Sequence, residues 1–159
     1  MKKFRVLISG LLTSALLLGC SSLQGPDVST YKDNMSQFFD NVAALDEAIN
    51  NLDTSQDDYV ATLMTYLDQL DQTFTQMGAL EVPNGFTGVK ELSEDAASNM
   101  TEAVANYHTA FEGGEYRDDI AQRAYLAYAK ASSELQYIIR ILHGEKYEDI
   151  FAKKTMETE

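Results

Sequence analysis

The chain has 159 residues, with 25 acidic against 12 basic side chains, a net charge of −13 and one cysteine. That is chain enough for one domain with its own core, and it has no internal disulfide. Its negative charge argues against nucleic acid and anionic lipid headgroups as partners.

The chain opens with the basic run Met1-Lys2-Lys3-Phe4-Arg5, followed by an almost wholly apolar stretch from Val6 to Leu18. A charged start, a short apolar run and a small residue at the cut form the signal-peptide pattern, and the run is too short to span a bilayer. It ends Leu17-Leu18-Gly19-Cys20. Residues 1–20 resemble the signal of bacterial lipoproteins. The resemblance implies cleavage after Gly19, leaving residues 1–19 as signal peptide and lipidation of Cys20, with diacylglyceryl and palmitate chains as the anchor. It also implies an extracytoplasmic protein held on the cell membrane, or on the outer membrane where a cell has two, since Ser21 follows the cysteine. Removing Lys2, Lys3 and Arg5 leaves nine basic residues against 25 acidic, a mature net charge of −16.

Residues 20–29 read as the lipidated N-terminus and a polar linker. At about 3.3 Å per residue it reaches less than about 30 Å, which keeps the domain close to the bilayer. The first helix carries Val28, Tyr31, Met35, Phe38, Val42, Leu45, Ile49 and Leu52 in alternating steps of three and four, an unbroken a/d seam. Ser55 and Asp58 stand in the capping-box relation before the second helix. That helix carries Val60, Leu63, Leu67, Leu70, Phe74 and Met77, with Gly78 in place for a left-handed C′ residue. Residues 78–88 form the longest loop, with a β-turn expected at Val82-Pro83-Asn84-Gly85.

The third helix carries Val89, Leu92, Ala96, Met100, Ala103, Tyr107 and Phe111, a seam rich in alanine, and Gly113-Gly114 stop it. The fourth carries Tyr116, Ile120, Ala124, Tyr128, Ala131, Leu135, Ile138 and Leu142, with Gly144 at its end. Glu145 to Lys154 reads as a short amphipathic extension. The fold class that follows is all-α: an up-and-down antiparallel four-helix bundle over residues 30–152, a short C-terminal helical extension and a frayed tail at 153–159.

No catalytic constellation emerges. The Glu-x-x-His motif of di-iron bundles is absent, because Ala105 and Arg140 stand three residues before His108 and His143. Met35, Met64, Met77 and Met100 read as core fillers rather than haem ligands. Asp53, Ser55 and Asp57 have calcium-loop spacing, but Asp58 replaces the required glycine and Met64 the final ligand. His108 is expected to pair with Glu112 one turn later, and His143 to sit at a helix end. No metal site and no cofactor is expected, and the chain does not read as an enzyme.

Charge is more informative. From Asp33 to Val89 there are ten acidic residues and no Lys or Arg, whereas Arg117, Arg123, Lys130, Arg140, Lys146, Lys153 and Lys154 cluster in the fourth helix and tail. The first hairpin is therefore expected to pack beside a more basic fourth helix and to form surface pairs with it. The anchor would place Leu80, Val82, Phe86, Ile150, Phe151, Lys153 and Lys154 at the membrane end. The opposite tip collects Asp53, Asp57, Asp58, Glu112, Glu115, Asp118 and Asp119, opposed by Arg117. Helix N-termini favour such acids, and a basic envelope protein or a cation is the candidate tip partner. The expected function is a membrane-anchored, non-enzymatic envelope binding or scaffold module. The alternative is a small-ligand or metal-ion carrier using the bundle interior or the tip, with Tyr107, Tyr125, Tyr128 and Tyr137 lining a groove.

Overall fold

The computed structural model describes residues 26–114 and 116–151. Cys20, the signal segment, Glu115, Lys153, Lys154 and the tail at 153–159 lie outside the described residues. Among the described residues there are four long helices and no strand: α1 (Pro26–Asn50), α2 (Tyr59–Gly78), α3 (Val89–Phe111) and α4 (Asp118–Leu142). No helix among them is long and apolar enough to cross a membrane.

α1 begins inside the segment expected to be linker. Pro26 starts it, because proline has no N–H to lose at the first helical position and its φ is already helical. The first reversal also differs from expectation. Asp53, not Ser55, organises it: Asp53 Oδ1 accepts from the Ser55 N–H at 2.9 Å and hydroxyl at 2.7 Å, and Oδ2 accepts from the Gln56 amide at 3.1 Å. An aspartate reaching the N–H two residues on closes a turn by itself. α2 then starts at Tyr59, and Asp58 makes no side-chain cap.

Gly78 is no left-handed terminator. It is the last residue of α2, and the chain continues right-handed through Ala79. A Cβ at Gly78 would stand 3.0 Å from Ala97 Cβ and 3.2 Å from the Ser93 carbonyl, so glycine is there to let α2 lie on α3. The β-turn falls one residue later than expected, with Phe86 N–H on Pro83 C=O at 3.4 Å. Gly85 then takes the third position at φ +106°, where a side chain would be strained.

Most of the seam positions are withdrawn from water, but Val60 near the start of α2 is exposed, and Tyr116, expected within the fourth helix, precedes α4 and is exposed too. Met35, Phe38, Val42 and Ile49 of α1 meet Leu63, Leu67, Leu70, Phe74 and Met77 of α2, with Phe38 edge-on to Phe74 at 5.3 Å. α3 and α4 pack through small residues, Ala96, Ala103, Ala124, Ala127 and Ala131 all being buried, and this pair makes the most extensive contact. Alanine lets two backbones approach, whereas the aromatic α1–α2 seam holds its helices farther apart. The pairings run antiparallel: Asp68 faces His108, Asp71 faces Thr101, and Asn99 faces Glu134.

The end holding the 78–88 loop is closed by the C-terminal segment. Gly144 turns the chain at φ +97°, and residues 147–151 are helical. Ile150 is buried, Phe151 stacks on Tyr137 at 5.1 Å and Tyr147 at 4.6 Å, and Tyr147 lies over Gly88. Phe86 is buried too, its ring 5.9 Å from Tyr31, and Leu80 and Val82 pack on the core. The apolar residues expected to face lipid are thus turned inward, because the bundle itself removes them from water.

Candidate functional site

The tip acids sit on the two reversals at the other end. Asp53, Asp57 and Asp58 lie between α1 and α2, with Glu112, Asp118 and Asp119 around the start of α4. The reversals are neighbours, since Tyr59 of one lies within electrostatic range of Tyr116 of the other. Three of these acids have local duties. Hydrogen bonds from Ser55 and Gln56 hold the Asp53 carboxyl below its ordinary pKa. Glu112 meets Arg117 at 3.8 Å, and Asp119 meets Arg123 at 3.4 Å. Arg117 also donates to the Thr109 carbonyl. Asp57, Asp58 and Asp118 are exposed. Among the described residues, no group of three or more His, Cys, Asp or Glu is arranged to hold a metal ion.

The basic residues of α4 do not neutralise the first hairpin. Among the described ion pairs, Arg117, Arg123 and Arg140 engage Glu112, Asp119 and Glu145, all on α4 or its flanks. Short-range partners one turn away win because they cost less side-chain ordering than a reach across helices. Of the hairpin's ten acids, Asp68 is in an ion pair, and its partner is His108 of α3 at 2.6 Å. His108 therefore does not pair with Glu112; the register of α2 on α3 puts Asp68 closer. The α1–α2 face keeps its negative charge.

The tyrosines separate into two places. Tyr125 and Tyr128 both lie within electrostatic range of Tyr107, whereas Tyr137 packs on Phe151 in the C-terminal closure. Burial pushes the Tyr107 and Tyr128 phenols up to about 12, so both stay protonated as hydrogen-bond donors. Tyr125 stands half out of the fold. A small internal cavity of about 10 Å³ lies beside Tyr128, among Val42, Asp46, Ile49, Leu70, Phe74 and Ser132. That is room for about one water. Asp46 Oδ1 is buried there without a partner. Desolvation raises the Asp46 pKa, and a hydrogen bond from Asn50 partly offsets it.

A larger recess lies elsewhere. A cleft of about 210 Å³ opens between the first half of α1 and the last turns of α2. Asn34, Gln37 and Asn41 line it from α1, with Thr73 and Gln76 from α2, above Phe38, Met77 and Leu80. Sequence reasoning followed the apolar seam and passed over its flank. The available signal was a run of uncharged amides, spaced three and four apart, in helices otherwise marked by acids.

Compared with family models, curated proteins and solved structures, the chain matches none.

Proposed function

We propose that this protein is a lipid-anchored, non-enzymatic helical module of the bacterial cell envelope, held by Cys20 and binding a basic partner protein through its acidic face. The observation that carries the binding role is the uncancelled charge of the α1–α2 hairpin, whose acids the described ion pairs of Arg117, Arg123 and Arg140 do not engage, although seven of the nine basic residues after Cys20 lie from Arg117 onward. Like charges kept together on one face cost stability through repulsion, and they steer a cationic partner onto it. The Leu17–Cys20 lipobox supports the anchor, and α1 beginning at Pro26 shortens the tether further.

Two measurements test the two halves separately. For the anchor, mass spectrometry of the membrane fraction is expected to find a diacylglyceryl adduct on Cys20, and Cys20→Ser to release the protein from that fraction. An unmodified cysteine in a membrane-free protein refutes it. For the binding role, cross-linking in the native envelope is compared between the wild type and a variant with Asp57, Asp58, Asp118 and Asp119 changed to Lys. All four residues are exposed. Loss of the cross-linked partner is expected, with helical content kept. An unchanged cross-linking pattern refutes the acidic face as the binding surface.

A further inference from the structure

The α1–α2 cleft is lined by uncharged polar side chains over an apolar floor. Four side-chain amides, Asn34, Gln37, Asn41 and Gln76, converge on it, and among the described residues none of the four has a hydrogen-bond partner. Each amide offers two donors and an acceptor. Thr73 donates its hydroxyl to the Gln69 carbonyl at 2.8 Å, which leaves the oxygen lone pairs as further acceptors. The lining holds no charged side chain, and its floor is the apolar pair Phe38 and Met77. Asp33, Asp40 and Glu81, next in sequence to lining residues, are exposed and acidic.

A ligand that fits must donate and accept at several closely spaced points, present apolar C–H between them and carry no negative charge. From Asn34 to Asn41 the wall runs about 10 Å along the helix. That matches one sugar ring, whereas an extended peptide covers only about three residues in the same length. The volume is likewise below that of drug-sized pockets, which begin near about 300 Å³. We infer that the α1–α2 cleft binds one ring of a neutral saccharide. This deepens the reading of the domain as a binding module, at a place separate from the acidic tip. It needs no membrane, so its failure is distinct from failure of the anchor or of the protein partner.

The test uses the full-length chain in micelles of a detergent without a sugar headgroup. Saturation-transfer NMR and titration are run with glucose and N-acetylglucosamine as probes and glucuronate as the anionic counterpart. Saturation transfer to at least one neutral sugar is expected, with glucuronate several-fold weaker. The paired change Asn34→Ala and Asn41→Ala, at exposed helix positions, is expected to weaken binding roughly tenfold, the size of two lost hydrogen bonds. Asn106→Ala removes an amide that bonds the Glu102 carbonyl at 2.9 Å on another helix, and it leaves binding unchanged. Circular dichroism checks that each variant is folded. No transfer to either neutral sugar overturns the inference. So does glucuronate binding as tightly as glucose, or an undiminished affinity in the folded Asn34→Ala/Asn41→Ala variant.

Discussion

Replacing Gly88 by Ala measures how the C-terminal segment closes the bundle. Gly88 precedes α3 at φ +79°. A Cβ there would run into the Tyr147 ring, with Cγ at 3.0 Å and the ring edge closer still. Two costs separate. A side chain in the left-handed region costs about 1–2 kcal/mol. The overlap is with a ring packed against Phe151 at 4.6 Å, so the ring must leave. Losing that aromatic pair costs about 0.5–1.5 kcal/mol, and re-exposing part of the ring's apolar area adds about 1 kcal/mol. The total is roughly 2.5–4.5 kcal/mol, or a Tm lowered by roughly 8–16 °C in a domain of this size. Thermal unfolding by circular dichroism is compared for Gly88→Ala, Tyr147→Ala and the double variant. With Tyr147 truncated, only the φ penalty remains, so Gly88→Ala costs about 1–2 kcal/mol in that background. Equal cost in both backgrounds refutes the docking of Tyr147 on Gly88.

Other variants probe the remaining features. Asp46→Asn is expected to stabilise the protein at pH 7. Burial raises the Asp46 pKa above 3.8, so the fold resists ionisation that the unfolded chain accepts. The penalty is absent below the unfolded value, grows as pH rises to the raised value and is constant above it. The gain is roughly 0.5–1 kcal/mol, because the residue is only half-buried and solvent screens it. Chemical denaturation across pH checks it, and a gain that does not shrink toward pH 3.8 contradicts the assignment. Ala131→Leu, at a fully buried position between α3 and α4, is expected to cost about 1–3 kcal/mol through overpacking. Ala105→Leu on the exposed face of α3 serves as the comparison and changes stability by less than about 0.5 kcal/mol. Similar denaturation midpoints for the two leucine variants contradict close α3–α4 packing.

The sequence by itself determined the helices and their inward faces. The steps of three and four from Tyr31 to Ile49 and from Leu63 to Met77 become buried stripes because helical period is a local property, set within a few residues of each side chain. Short connections between such stripes leave antiparallel packing as the way to bury them, so the bundle was legible before any contact was known. The alanine-rich seam of the third helix pointed to close approach for the same reason.

What only the tertiary structure decided is which flanks meet, since that depends on how each helix is rotated and slid against its neighbour. His108 had Glu112 one turn away, yet the α2–α3 register offers Asp68 at 2.6 Å. Gly78 carried the signature of a helix terminator but is needed where two backbones touch. Phe86 and Ile150 looked available to lipid, but the fold buries both, with the Phe86 ring beside Tyr31 of α1. The amides of the cleft were in plain view along α1 and α2, but only the packing of one helix on the other aims Asn34 and Gln76 into the same recess. Periodicity is written into a single strand of sequence, whereas register is a relation between two, and the candidate sites of this protein are made of register.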